Sequence, residues 1–332
     1  MAKDKVRVAF VGSGGIAQAH LKELSQMADV ELVGFCDVVE DKAQRAATQY
    51  GGHAFTCPRA MFGSVQADAA WICLPPFAHG DAEMSAIEHG VPFIVEKPVG
   101  LDLGQCREIA AAAAEKGLIT AAAYMNRYRK GIQRARELFA TDPPVLSLGG
   151  WIGGSPTPVP GTISHWWIQR HKSGGQYVEQ VTHTTDLVRY LCGEATHVFA
   201  FGAKGFNVGI PDYTIDDAAA VSILLKNGGV ANLCSCCASG ASGGVWLDVF
   251  AKQTCARFSG WEHTAKITVA GQETEEIAGE GDIFRIEDAA FIQAVKSGDA
   301  SGVLSTYADG VESLALGLAA NRAIETGQVQ EL

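Results

Sequence analysis

The first part of the chain alternates between short apolar runs and longer amphipathic stretches. Apolar runs without polar alternation are typical of parallel strands buried on both faces, and intervening stretches of about 10–15 residues indicate crossover helices. The predicted strands are Val6–Val11, Val30–Cys36, Ala69–Leu74, Phe93–Val95 and Leu118–Tyr124, and the predicted helices are Ile16–Met27, Glu40–Tyr50, Ala78–His89 and Leu103–Lys116. This pattern predicts a doubly wound parallel sheet that closes near residue 125.

The rest of the chain has a different pattern, with several strand-like runs in succession. Asn227-Gly228-Gly229 between two of them is a strong hairpin signal. The predicted strands are Val145–Ile152, His197–Ala203, Ala218–Leu225, Val230–Cys237 and Val245–Ala251, and the predicted helices are Ile132–Ala140, Gln176–Leu191, Asp288–Lys296 and Tyr307–Ile324. We therefore expect two domains, 1–125 and 126–332, the second an α+β domain with a large, mostly antiparallel open sheet. The helix at about 305–325 could pack back on the first domain.

Composition narrows the class of protein. The 332 residues include 26 Lys and Arg against 37 Asp and Glu, a formal net charge of −11, and 47% are hydrophobic. The acidic balance argues against nucleic-acid binding and against attraction to anionic lipid surfaces, and there is no long uncharged apolar run to span a membrane. The closest cysteines, Cys234-Ser235-Cys236-Cys237, lie in a strand-like run whose alternate side chains face opposite ways, so no metal site is expected, and as reduced thiols the nine cysteines indicate the cytoplasm. The short apolar stretch Val8–Val11 is too short for a secretory signal.

A glycine-rich turn follows the first predicted strand. The pattern Gly12-x-Gly14-x-x-Ala17 opens the first helix, and a dinucleotide fold needs these small residues for a tight turn and for close approach of the pyrophosphate. Asp37 ends the second strand 20 residues beyond Ala17, where a carboxylate would bind the adenosine ribose hydroxyls, although an exposed turn aspartate is the alternative. Because Asp37 would repel a 2′-phosphate, NAD is favoured over NADP. The predicted fold of residues 1–125 is therefore a Rossmann fold.

Two further segments carry candidate chemistry. Lys97 lies at the carboxyl end of a buried strand, where open α/β sheets bind ligands, and a surface lysine before a turn is an equally good interpretation. Glu179, His183 and Asp186 are spaced i, i+4 and i+7 on a predicted helix, hence on one face. A histidine beside a carboxylate suits general acid–base catalysis, but the spacing alone fits a buried core histidine equally well.

Together, the motifs resemble the Gfo/Idh/MocA oxidoreductases over nearly the whole chain. The resemblance rests on the glycine turn, Asp37, Pro75-Pro76-Phe77-Ala78-His79, Glu96-Lys97-Pro98, and Gly174-Gly175 followed by Glu179 and His183. It implies catalytic roles for Lys97, His183 and Glu179, the last in a position where many members carry Asp. The implied cofactor-binding residues are Gly12, Ser13, Gly14, Gly15, Ile16, Ala17, Asp37, Leu74, Pro75, Pro76, His79, Glu96 and Lys97.

The resemblance also implies hydride transfer between a nicotinamide cofactor and a secondary alcohol of a sugar, sugar derivative or polyol. Aromatic and polar residues near the expected crevice suit such a substrate, and the predicted substrate-binding residues are Lys97, Asn126, Arg127, His165, Trp166, Arg170, Glu179 and His183. Arg127 or Arg170 could instead indicate a substrate carboxylate or phosphate. The alternatives are an NAD-dependent glycosidase with no net redox and a non-catalytic dinucleotide sensor. The family further implies a homodimer or homotetramer formed through the C-terminal sheet.

Overall fold

The computed structural model describes residues 5–332 and divides the chain into two compact units. The first unit runs to Met125 and takes in a later segment, Asp282–Val311, while the second consists of Asn126–Gly281 and Glu312–Leu332. The break between Met125 and Asn126 coincides with the end of the predicted βα pattern. The sequence pattern assigns Asp282–Val311 to the second domain and indicates a return to the first only for the helix at about 305–325.

The first unit contains the predicted parallel sheet. Its strands are β1 (Val6–Val11), β2 (Val30–Cys36), β3 (His53–Phe55), β4 (Ala69–Ile72), β5 (Phe93–Val95) and β6 (Thr120–Ala122), and the helices between them are α1 (Gly15–Leu24), α2 (Glu40–Tyr50), α3 (Pro58–Ser64), α4 (Asp81–Glu88) and α5 (Leu103–Glu115). The strand order is β3-β2-β1-β4-β5-β6 with every pair parallel. The order reverses at β1, which places the end of β1 at a topological switch point.

The second unit is built on a nine-stranded sheet. Its helices are α6 (Lys130–Phe139), α7 (Ile163–Trp167), α8 (Arg170–Ser173), α9 (Gln176–Glu179) and α10 (Thr182–Cys192), and its strands are β7 (Leu146–Ile152), β8 (Ala195–Ala203), β9 (Ala218–Leu225), β10 (Val230–Cys236), β11 (Gly244–Phe250), β12 (Thr254–Ser259), β13 (Thr264–Val269) and β14 (Glu275–Ile277). All pairs are antiparallel except β7 with β10. The predicted fold class, a parallel sheet followed by a mostly antiparallel one, is confirmed.

The chain ends with α11 (Ile283–Ser297), α12 (Tyr307–Thr326) and β15 (Gln330–Glu331), which pairs with β8. The second unit's core lies on one face of its sheet, where alternate strand residues meet apolar residues of α6, α10 and the later turns of α12. The other face carries exposed apolar side chains, among them Leu148, Phe201 and Leu224. The helices of this unit therefore pack on one face of the sheet.

One predicted helix is wrong in its continuity. The stretch predicted as a single helix, Gln176–Leu191, is divided between α9 and α10, with Gln180 and Val181 between them. Val181 N–H bonds the carbonyl of Gln176, five residues earlier, which widens the turn at this point. Glu179 and His183 consequently lie on two different helices.

Candidate active site

In the turn after β1, the first position is the one that a residue with a side chain could not occupy. Gly12 has φ +89°, and a Cβ there would lie 2.2 Å from the carbonyl oxygen of Cys73. At Gly14 and Gly15, by contrast, a Cβ would meet no described heavy atom within 4 Å. The backbone of Gly14 and Gly15 therefore borders open space, as a turn that receives a pyrophosphate requires.

The start of α1 offers hydrogen-bond donors to an anion. Within residues 5–332, α1 has no acidic residue in its first turn and no side-chain cap on Gly14, so its first N–H groups and the positive end of its dipole are not neutralised. The buried Ser13 hydroxyl also finds no hydrogen-bond partner among the described residues. These donors fit the diphosphate of a dinucleotide.

Asp37 follows β2 and contacts the glycine turn directly. One carboxylate oxygen accepts the Ser13 N–H at 2.9 Å, and the other accepts the Val39 N–H at 2.9 Å. The side chain thus lies next to the predicted pyrophosphate turn, as the sequence spacing predicts. It also fixes the backbone of that turn.

His79 has a structural role in the segment after β4. Its Nε2 donates to the carbonyl of Leu74 at 3.1 Å, and its Nδ1 hydrogen-bonds the buried Glu83 carboxylate, which also accepts the Gly80 N–H at 2.7 Å. Both ring nitrogens are therefore engaged within the protein. His79 holds the Leu74-Pro75 segment in place, and the contacts of Leu74, Pro75, Pro76 and His79 with the cofactor stay predictions.

The Glu96-Lys97 turn after β5 is supported by a buried network of charged groups. His20 of α1 donates from Nε2 to Glu96 at 3.1 Å and from Nδ1 to Asp288 at 2.7 Å, while Glu96 accepts the Lys97 N–H at 3.1 Å. Trp71 Nε1 also donates to Asp288 at 2.9 Å. Burial alone lowers the pKa of His20, but the charges and hydrogen bonds of Asp288 and Glu96 outweigh it and raise the pKa well above 6.5. An imidazolium therefore connects α1 to the backbone of Lys97.

This network predicts that stability falls at alkaline pH. Below the unfolded pKa of about 6.5, His20 is protonated in both states and its stabilisation is fully present. As the pH rises above that value and through the raised folded pKa, the folded protein loses the charge and with it the stabilisation. Urea unfolding at a series of pH values should show that the free energy of unfolding of the wild type declines as the pH rises. His20→Gln should flatten this decline, whereas His53→Gln, which replaces an exposed histidine, should leave it unchanged. Parallel curves for wild type and His20→Gln would contradict the charged bridge.

In the second unit, His183 and Glu179 are both buried, on α10 and α9. Glu179 accepts a hydrogen bond from Trp167 Nε1 at 2.8 Å, and the His183 ring lies 6.1 Å from the Trp261 ring at 86°. The ring centroids of Trp151 and Trp261 are 5.7 Å apart. The imidazole therefore lies beside the Trp261 indole. Trp151, Trp167 and Trp261 are absent from the residues predicted by sequence to bind substrate.

Arg127 and Asp186 form a buried ion pair. Arg127 binds both Asp186 oxygens, at 2.6 and 2.8 Å, and the two side chains are 4% and 1% exposed. Tyr190 lies 4.7 Å from the guanidinium carbon, and Ser313 donates to Asp186 at 2.9 Å. Asp186 therefore pairs with Arg127. Its predicted place on one helix face with His183 does not explain its role. The Arg127 guanidinium therefore holds the Asp186 carboxylate, and its contact with substrate stays a prediction.

The other predicted substrate residues lie in three settings. Asn126 is buried and accepts a hydrogen bond from Arg129 at 2.7 Å. His165 is partly exposed, and Trp166 packs beside the small apolar cluster of Trp167, Ile168, Ile215 and Cys237. Arg170 pairs with Asp216 and, at 3.1 Å, with Glu325. The guanidinium of Arg170 is therefore engaged by two carboxylates of its own unit.

Two negative findings apply to the part of the chain that the structure describes. Residues 5–332 contain no group of three His, Cys, Asp or Glu side chains that could hold a metal ion. Within the same range, none of the helices has the length and apolar character needed to cross a bilayer.

The parallel sheet, its switch point and the glycine turn define an NAD-binding Rossmann unit of the oxidoreductase class. Residues 6–124 match the family model described as an oxidoreductase family with an NAD-binding Rossmann fold, and residues 152–256 match the GFO/IDH/MocA C-terminal domain. The chain belongs to the GFO/IDH/MocA family. The predictions of the family, the fold class and the NAD cofactor are confirmed.

Known proteins similar to this chain include sugar and inositol dehydrogenases. D-Glucoside 3-dehydrogenase of Escherichia coli (strain K12) is 26% identical over 256 residues, which cover 69% of this chain and 70% of the relative. The scyllo-inositol 2-dehydrogenase (NAD(+)) of Bacillus subtilis (strain 168) is 26% identical over 229 residues, 68% of this chain and 65% of the relative. A levoglucosan dehydrogenase structure in complex with NADH superimposes with a TM-score of 0.87 at 18% identity, over 98% of this chain and 99% of that one. This last similarity establishes the fold.

Proposed function

We propose that this protein is an NAD-dependent dehydrogenase that oxidises a secondary alcohol of a sugar, sugar derivative or polyol. The observation that carries the proposal is the buried His183 imidazole beside the Trp261 indole, on a chain whose other unit is an NAD-binding Rossmann unit. The relatives named for glucoside and inositol oxidation support the same substrate class.

Three side chains have proposed roles in the reaction. His183 accepts the hydroxyl proton as the carbonyl forms, and Lys97 stabilises the developing negative charge on the oxygen. Glu179, held by Trp167, positions the substrate. NAD, when bound, supplies the hydride acceptor, and the residues that would hold it are the α1 N-terminus, Ser13, Asp37 and the Leu74-Pro75 segment.

The reaction type is tested by incubating the purified protein with NAD and a panel of inositols, pyranosides and acyclic polyols. NADH formation with at least one of them is the expected result. Release of an aglycone from chromogenic glycosides without net NADH would instead indicate the redox-neutral glycosidase reaction. Binding of NAD with neither reaction would favour a sensor.

Asp37 is expected to set the preference for NAD over NADP. Asp37→Asn keeps the size of the side chain and one acceptor oxygen for the Ser13 or Val39 N–H, and it removes the charge that repels a 2′-phosphate. At separations near 4 Å such repulsion amounts to roughly 1–4 kcal/mol, so the ratio of kcat/KM for NAD over NADP should fall about tenfold or more. An unchanged ratio would show that Asp37 serves only the turn. Asp41→Asn, an exposed carboxylate on α2, is the control.

We also propose that the protein forms a homodimer or homotetramer through the open face of the second sheet. Exposed Leu148, Phe201, Leu224 and Val230 give that face an apolar character unusual for a surface left in water. Leu224→Lys should lower the mass measured by light scattering, and an unchanged mass would contradict this interface.

The nine free cysteines support a cytoplasmic location, where thiols stay reduced.

A further inference from the structure

The turn between β12 and β13 displays a large aromatic side chain. Trp261 is 46% exposed, although burying an indole in the core is favourable. Two residues of this turn have positive φ, Gly260 at +75° and His263 at +52°. A positive φ is unusual at His263, which carries a side chain, and such backbone strain persists only where the surroundings enforce it.

Buried side chains hold the Trp261 backbone in place. The Arg129 guanidinium donates to the Trp261 carbonyl at 3.1 Å and to the Glu280 carbonyl at 2.8 Å. His263 Nδ1 donates to the same Trp261 carbonyl at 3.1 Å, and burial lowers the pKa of His263 to about 4, so its ring is neutral at physiological pH. Two donors on one carbonyl fix the turn before any ligand arrives.

The fixed indole stands beside the proposed acid–base group. The rings of Trp261 and His183 are 6.1 Å apart and nearly perpendicular, at 86°, so their planes form a corner. Trp151 supports the indole from another direction, with ring centroids 5.7 Å apart at 63°. An exposed indole next to a buried imidazole suits a substrate-binding site, in which the indole contacts the substrate and the imidazole acts as acid or base.

We propose that Trp261 is the substrate-stacking residue of this enzyme and that it selects cyclic substrates, pyranosides and cyclitols, over acyclic polyols. A six-membered ring presents a rigid face of C–H groups that an indole can cover while the ring hydroxyls remain free for polar contacts. An acyclic polyol has no such face and would lose conformational freedom in forming one. This inference rests on the proposed function, because it assigns the substrate class of the same site.

The test compares Trp261→Ala, Trp261→Leu and Trp261→Phe with the wild type on two substrates. The cyclic substrate is myo-inositol or methyl β-glucopyranoside, and the acyclic substrate is sorbitol. For the cyclic substrate, Trp261→Ala and Trp261→Leu should raise KM about tenfold, equivalent to about 1.4 kcal/mol, while Trp261→Phe raises it only a few-fold. For sorbitol, KM should change less than twofold. Phe206→Ala, which removes another exposed aromatic, is the matched control and should change neither value.

Several results would overturn the stacking role. Equal losses for cyclic and acyclic substrates would do so, as would an unchanged KM in Trp261→Ala. A fall in kcat at constant KM in all three variants would indicate support of His183 instead. Melting curves verify that each variant is folded, and Trp261→Leu keeps the test valid if the alanine variant unfolds.

A binding measurement separates this inference from the proposed function. Calorimetric titration of methyl β-glucopyranoside into wild type and Trp261→Leu, each with NADH bound, needs no turnover. Tenfold weaker binding to Trp261→Leu in a protein that forms no NADH from any alcohol would support stacking and refute the dehydrogenase. Turnover of cyclic alcohols with identical titrations for the two proteins would support the dehydrogenase and refute stacking.

Discussion

Replacing His183 with alanine is expected to lower kcat by roughly 10²–10⁴-fold, the range that general acid–base catalysis contributes. The proton of the reacting hydroxyl then has no positioned acceptor, and water is a poorer base at neutral pH. NADH affinity should change little, because His183 belongs to the second unit and the predicted dinucleotide donors belong to the first. Initial rates of NADH formation and a fluorescence titration of NADH measure the two quantities.

The control for this prediction is His171→Ala, which removes an exposed imidazole from α8. It should leave kcat within about twofold of wild type, since surface substitutions away from a site usually have little effect. His183→Gln keeps the approximate volume and hydrogen-bonding capacity of the side chain but cannot take up a proton near neutral pH. Wild-type turnover in His183→Gln would exclude the acid–base role.

Replacing Arg127 with methionine is expected to destabilise the protein by about 3–5 kcal/mol, the cost of leaving one partner of a buried ion pair unpaired. Asp186 would then keep its charge at a position that is 1% exposed, without the two hydrogen bonds that Arg127 donates to it. Arg134→Ala is the control, because that arginine is 41% exposed and its pairs with Glu137 and Glu275 are screened by water, so its loss should change the stability little. Urea unfolding measures both.

The same variant distinguishes a structural Arg127 from a substrate-binding one. If the guanidinium bound a substrate carboxylate or phosphate, Arg127→Met would raise KM for such a substrate with stability nearly intact. The double variant Arg127→Met/Asp186→Leu should recover part of the lost stability, since removing both charges avoids the buried unpaired carboxylate. Absence of any recovery would contradict the assignment of the loss to Asp186.

Local signals in the sequence suffice for the frame of the first unit. Continuous apolar runs predict β1, β2, β4 and β5, and the glycine spacing predicts the turn that the structure confirms as open at Gly14. Asp37 follows β2 as the strand pattern predicts and accepts the Ser13 N–H, while its contact with the adenosine ribose stays a prediction. These features depend on residues close together in the chain, where periodicity and turn chemistry are informative.

Features built from distant residues were not predictable in this way. His20 and Asp288 are 268 positions apart, and their pairing depends on a long return of the chain to the first unit. The strands β12 and β13 alternate apolar with polar or charged residues such as Arg257 and Lys266, which is a local strand signal, but no local signal shows that the turn between them brings Trp261 to His183. Helical spacing places His183 and Asp186 on one face but cannot show that Arg127 takes the carboxylate.

The segment Asp282–Val311 has a consequence for synthesis on the ribosome. The first unit needs Asp288 to pair with His20 and Phe291 to pack against Trp71, at 5.3 Å between ring centroids. Both residues are translated after nearly all of the second unit has emerged. The nascent Rossmann sheet must therefore persist without its last helix while more than 150 further residues of the second unit are made. For this chain, domain-by-domain folding from the N-terminus cannot run to completion, and the two units mature almost together.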